Sequence, residues 1–214
     1  MKLKNQTLSI SVLMLMLAAC ATPATTRLYT LANPSKPLAT VSPISTGSTP
    51  IAIEVLPINV PERLKRPQIV LSTQGSTQLK ILEQDRWSSS FNDELRDAMA
   101  SGIAGQIGAA DVSRGGRVAG QPVYRIAIAL RQFNAAPGDK VLSNFGWTVT
   151  RLVNASSPGV ESSISCQSAI NKAVGNNVDE VVKGLQASVE EVVQQISASI
   201  IDMNNGGAGE CGHN

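Results

Sequence analysis

Nine apolar residues from Val178 to Ile200 fall at spacings of 3, 1, 3, 4, 3, 1, 3 and 4. They are Val178, Val181, Val182, Leu185, Val189, Val192, Val193, Ile196 and Ile200. That period puts them on one stripe of an α-helix. Asp179, Glu180, Lys183, Gln186, Glu190 and Gln194 take the other side. Valine lowers helix propensity, so packing must hold this helix together. Only three heptads fit, which suits a helix laid on a sheet better than a coiled-coil seam. Asn177 with Glu180 forms a capping-box start, and Asn204-Asn205-Gly206-Gly207 a stop.

The layer that the helix must cover is visible upstream. Tyr124 to Arg131 alternates strictly, with Tyr124, Ile126, Ile128 and Leu130 on one side. Pro137-Gly138-Asp139 is turn chemistry, and Lys140 to Val153 returns with Phe145, Trp147 and Val149 on one face. A turn at 156–159 leads to a third strand, Val160 to Ile170. Earlier, Ile51 to Val55, Gln68 to Leu71 and Leu79 to Leu82 read as strands. A helix follows behind Ser88, Ser89 and Ser90, with Phe91, Leu95, Ala98, Met99, Ile103 and Ile107 on one drifting stripe. Asp93 and Glu94 lie in its first turn and suit the helix dipole. The glycines at 102, 105 and 108 end this helix or let another element pack closely. The expected fold is α+β in the order βββ-α-βββ-α, a mainly antiparallel sheet with both helices packed on it.

The N-terminus has a different character. Lys2 and Lys4 precede an apolar run, Leu8 to Ala19, which is too short to span a bilayer. Leu17-Ala18-Ala19-Cys20 then has the layout of a lipoprotein signal, with Cys20 as the lipidated first mature residue. Stable anchoring takes two or more acyl chains. Ala21 is not the aspartate associated with inner-membrane retention. The expected site is therefore the inner leaflet of the outer membrane, facing the periplasm. Residues 21–50 are rich in Pro, Ser and Thr and read as a tether, with Leu28-Tyr29-Thr30-Leu31 as one apolar island able to dock as a short strand. The division is a signal at 1–19, a lipidated tether at 20–50, a domain at 51–203 and a flexible tail at 204–214.

Removing the first 19 of 214 residues leaves 195 and takes away Lys2 and Lys4. Sixteen of the 18 Lys+Arg then face 16 Asp+Glu, so the mature chain is formally neutral. Long-range attraction to nucleic acid has no support. The lone histidine, His213, lies near the end of the chain, so no Ser-His or Cys-His pair is available inside the domain. Gly115-Gly116 lacks the phosphate-loop pattern, and no ligand cluster marks a metal site. No catalytic residue, metal or cofactor is expected, and a binding or assembly role is the default. Cys166 and Cys211 remain, either as a disulfide in an oxidising compartment or as two free thiols.

Several motifs together resemble the PqiC-like (YmbA-like) family of ABC-type transport auxiliary lipoproteins. They are the lipobox, Tyr29-Thr30-Leu31, Ile53 to Pro61, Leu64 to Val70, Arg86-Trp87, Phe91 to Arg96, the strand from Tyr124 to Phe133, and Trp147. The resemblance covers about residues 27 to 202; the Cys211 tail departs from it. It implies a non-enzymatic partner in an envelope system that moves lipid between membranes and supports envelope integrity. The implied partners are an inner-membrane permease, an ATPase and a lipid-binding protein with the mammalian-cell-entry domain. A homo-oligomeric ring is implied by family analogy. Pro67 pushes Arg66 into an extended conformation, where its guanidinium can fork onto a carboxylate. Arg66, Gln68 and Trp87 are the candidate partner-binding residues. The competing reading makes Arg66 an internal ion pair with Glu62 or Asp93, and Trp87 a core residue. A structural envelope lipoprotein of a secretion or cell-wall assembly system is the alternative function.

Overall fold

The computed structural model describes residues 25–32, 51–116, 121–152 and 162–211. Its elements run β1 (Arg27–Tyr29), β2 (Ala52–Val55), a 3-10 turn (Glu62–Leu64), β3 (Gln68–Ser72), β4 (Leu79–Trp87), α1 (Phe91–Ile107), β5 (Ala110–Asp111), β6 (Val123–Ala135), β7 (Lys140–Leu152), β8 (Ser163–Ala173) and α2 (Val178–Asn204). The fold is α+β, with two sheets and two helices among the described residues.

The two sheets are mixed, which corrects the antiparallel expectation. One has the order β1-β4-β3, the other β5-β2-β6-β7-β8. Among the described residues, β1–β4, β2–β5 and β2–β6 pair in parallel, while β3–β4, β6–β7 and β7–β8 pair antiparallel. The order is also corrected: among the described residues four strands precede each helix, not three. The two additions are β1 and β5, three and two residues long. A short turn identifies antiparallel neighbours, as in β6–β7; the turn expected at 156–159, between β7 and β8, lies outside the described residues. Parallel partners lie far apart in the chain and leave no local sign.

Packing follows the stripes. All nine apolar positions of α2 except Val178 are buried, and so are Phe91, Leu95, Ala98, Met99 and Ile103 of α1. They meet Tyr124, Ile126, Leu130, Phe145, Trp147 and Val149 of the large sheet in one core. Asn177 caps α2 by accepting from the Glu180 amide at 2.9 Å. Gly102 faces α2, where an added Cβ would lie 3.0 Å from a Val193 methyl. Gly108 ends α1 with φ of +66°.

The folded unit extends beyond 51–203. Residues 27–29 form β1. After α2 the chain is also held: Ser199 Oγ donates to the Glu210 carbonyl at 2.6 Å, and the Gly209 amide to Asp202 Oδ2 at 2.9 Å. Cys211 is disulfide-bonded to Cys166, with Cα atoms 5.6 Å apart. Residues 205–211 are therefore pinned to the domain.

Candidate functional site

The lipobox and Cys20 lie outside the described residues. What the structure shows is how the chain just after them joins the domain. β1 lies alongside the end of β4 in parallel, with Arg27 opposite Asp85, Leu28 opposite Arg86 and Tyr29 opposite Trp87. Two polar clusters lock it there.

The first is centred on Glu94, whose side chain is buried at 7% exposure. One carboxylate oxygen, Oε1, accepts from Ser88 Oγ at 2.6 Å, Ser89 Oγ at 2.9 Å and the Ser89 amide at 3.1 Å. The other, Oε2, accepts from Thr30 Oγ1 at 2.8 Å and the Leu31 amide at 2.9 Å. Burial pushes the Glu94 carboxyl up, but the hydrogen bonds from Ser88, Leu31, Thr30 and Ser89 outweigh it and hold the carboxyl below its usual range. A single carboxylate thus ties the chain after β1 to the entrance of α1.

The second cluster involves Tyr29. Its hydroxyl donates to Asp179 Oδ1 at 2.8 Å, with Asp85 Oδ1 at 3.3 Å. Arg27 Nε reaches the same Asp85 oxygen at 2.6 Å. Burial, then the bond to Asp179, raises the Tyr29 hydroxyl well above its usual range, so it stays protonated and donating. Gln186 Nε2 adds a bond to the Thr30 carbonyl at 3.2 Å. The segment from Arg27 to Leu31 is therefore held by β4, α1 and α2 together.

Arg66, Gln68 and Trp87 fall near this region but do not form one cluster. Trp87 is only 6% exposed and stacks on Phe91 at 5.1 Å between centroids, so it roots the helix entrance rather than facing a partner. Gln68 Nε2 lies 3.4 Å from Glu83 Oε2. Glu62 pairs with Lys65 at 2.9 Å, and Asp93 takes a short bond from Ser90. Neither holds Arg66. The Arg66 Nε is buried without a hydrogen-bond partner among the described residues.

The Glu94 clamp was missed in the sequence, where Glu94 reads as a dipole-complementing residue. The available signal was Ser88-Ser89 six and five residues before it, a hydroxyl-rich helix entrance. Its long-range donors, Thr30 and Leu31, had no such mark. No helix among the described residues is long and apolar enough to cross a membrane.

Residues 29–197 match the family model described as ABC-type transport auxiliary lipoprotein component. That span runs from the last residue of β1 into α2, so it includes the clamp. No curated protein matches the chain. Among solved structures, an uncharacterized protein aligns with a TM-score of 0.59 at 17% identity, covering 82% of this chain and 99% of its own. A protein from Xanthomonas campestris, of the DUF330 family, aligns with a TM-score of 0.52 at 14% identity, covering 86% of this chain and 96% of its own. These likenesses show a shared fold.

Proposed function

Since this chain belongs to the ABC-type transport auxiliary lipoprotein component family, we propose that it is the outer-membrane-anchored member of an ABC-type system that carries lipid between membranes. In this reading Cys20 carries the acyl chains, and the domain stands on the periplasmic side of the outer membrane. It performs no chemistry of its own. It receives a lipid-binding protein with the mammalian-cell-entry domain, which a permease and an ATPase serve from the inner membrane. A ring of several copies would give that partner a symmetric seat. The observation that carries the reading is the family match, which begins at Tyr29 and so includes the segment clamped onto the domain just behind the lipobox.

Arg66 is the residue to test on the partner side, because the carboxylates that could hold it inside the domain, Glu62 and Asp93, bond Lys65 and Ser90 instead. Affinity capture of the mature lipoprotein from crosslinked envelopes should recover the permease, ATPase and lipid-binding protein together. Arg66→Ala should weaken that capture while leaving thermal unfolding unchanged. Recovery of none of the three components from wild type would sink the proposal. A destabilised Arg66→Ala would show that the guanidinium serves the fold instead.

A further inference from the structure

We infer that the β3–β4 hairpin rests on the phospholipid surface that holds the anchor, through Leu79 and Ile81. The inference depends on the reading of Cys20 as the acylated residue.

The first support is chain length. Cys20 and Arg27 are seven residues apart in the sequence, and Arg27 is fixed against Asp85. Seven residues span at most ~25 Å when fully extended. The acylated sulfur cannot lie farther than that from the start of β1. A 30-residue tether would have allowed any face of the domain to meet the bilayer; this length does not.

The second support is direction. β1 runs parallel to β4, so Thr26, just before β1, lies toward the earlier residues of β4. Thr26 Oγ1 already bonds Gln84 at 3.1 Å, one step in that direction. From Asp85 back to Leu79 is six residues, nearly the number from Arg27 back to Cys20. A leash that kept the rise of a strand would arrive level with the end of the hairpin.

The third support is the surface found there. Val70 and Ser72 are alternate residues of β3 and pair with Ile81 and Leu79, so Ile81 and Leu79 lie on one side of the sheet. They are 42% and 47% exposed, and the other large exposed hydrophobics among the described residues are Leu28 on β1 and Ile201 on α2. From Gln68 to Leu82 the hairpin carries one charge, Lys80, and no acid. An apolar edge with a single cation suits the boundary between headgroups and acyl chains.

The test uses the full acylated chain in vesicles of phosphatidylethanolamine and phosphatidylglycerol. A fluorescent label at Ile81→Cys is compared with one at Ile201→Cys, using a lipid-borne quencher and aqueous iodide. The label at 81 should be quenched from the lipid and shielded from iodide by about twofold or more, and the label at 201 the reverse. Equal behaviour of the two labels overturns the inference. So does shielding at 81 without lipid quenching, which would place another copy or another protein on this face. Intact-mass analysis of the same sample reads acylation of Cys20 independently. In the unacylated Cys20→Ala chain, Leu79→Ser with Ile81→Ser should lower vesicle flotation about tenfold without changing thermal unfolding. Missing acylation would refute the anchor reading, whereas unchanged flotation in that pair would refute the hairpin contact alone.

Discussion

Replacing Glu94 by glutamine changes one oxygen to an amide nitrogen and removes the charge, at nearly constant volume. Both carboxylate oxygens accept from a backbone amide, Ser89 at one and Leu31 at the other. Whichever way the new amide turns, its NH₂ group faces one of those two N–H groups. One buried donor is then left without an acceptor, at a cost of ~1–3 kcal/mol. The remaining hydroxyl bonds from Ser88, Ser89 and Thr30 lose their charge assistance, which adds to the loss. Glu94→Gln should therefore destabilise the mature chain by ~2–4 kcal/mol in urea unfolding, or lower Tm by roughly 5–10 °C. Acidity gives an independent reading. The folded-state carboxyl lies below its unfolded value, so its contribution is complete above the ordinary glutamate range near ~4.3 and is lost as pH falls through the folded value. The glutamine variant should lack that portion of acid sensitivity. Hydrogen exchange at the Leu31 amide should also quicken in the variant, because its acceptor is the carboxylate. A variant within 0.5 kcal/mol of wild type, with Leu31 still protected, would refute the clamp.

Two further substitutions probe the frame around it. Cys211→Ser opens a covalent loop with a sequence separation of 45, worth ~2–4 kcal/mol by loop-closure entropy, and calorimetry under oxidising conditions should show that loss. Reductant should bring wild type to the same Tm and leave the variant unmoved. Gly184→Ala puts a Cβ 2.4 Å from a Val174 methyl and 3.3 Å from one of Val141, so α2 must shift from the sheet at a cost of ~1–3 kcal/mol, read by thermal unfolding. Because Gly184 is a buried helix position with ordinary φ, a neutral or stabilised Gly184→Ala would show that this contact is loose.

Legibility in the sequence tracked the range of the interactions. The stripe of α2 and the alternation of β6 each bury against one neighbour, so their periods appear directly in the sequence, and the core contains the residues those periods select. The β6–β7 hairpin was legible for the same reason, since its turn is short. The pairing of Ala52 with Val123 and of Arg27 with Asp85 was not. Each joins strands separated by a helix or by dozens of residues, and nothing local specifies it. β5 has two residues, too few for any period. The candidate site divides in the same way. Arg66 was visible because Pro67 restricts it locally, while the Glu94 clamp depends on donors 63 and 64 positions away.

In the proposed role, the docking of β1 changes what an anchor at Cys20 can do. Taken as a composition, residues 21–50 are a long flexible spacer that would let the domain roam far from its membrane. Fixing Arg27 to Leu31 on the domain divides that stretch in two. Only the seven-residue portion from Cys20 to Arg27 lies between anchor and fold, while the remainder joins two points on the same body, Leu31 and Ile51, and adds no reach. A domain of this size is ~40 Å across. With a leash of at most ~25 Å, its far side stays within ~65 Å of the acylated sulfur. In the proposed role, the lipid-binding partner must therefore come to the outer membrane, because this protein cannot go out to meet it. The Glu94 clamp then acts as the joint that keeps the leash short. Weakening it should free the full spacer and relax the orientation of the domain, even where the domain itself remains folded.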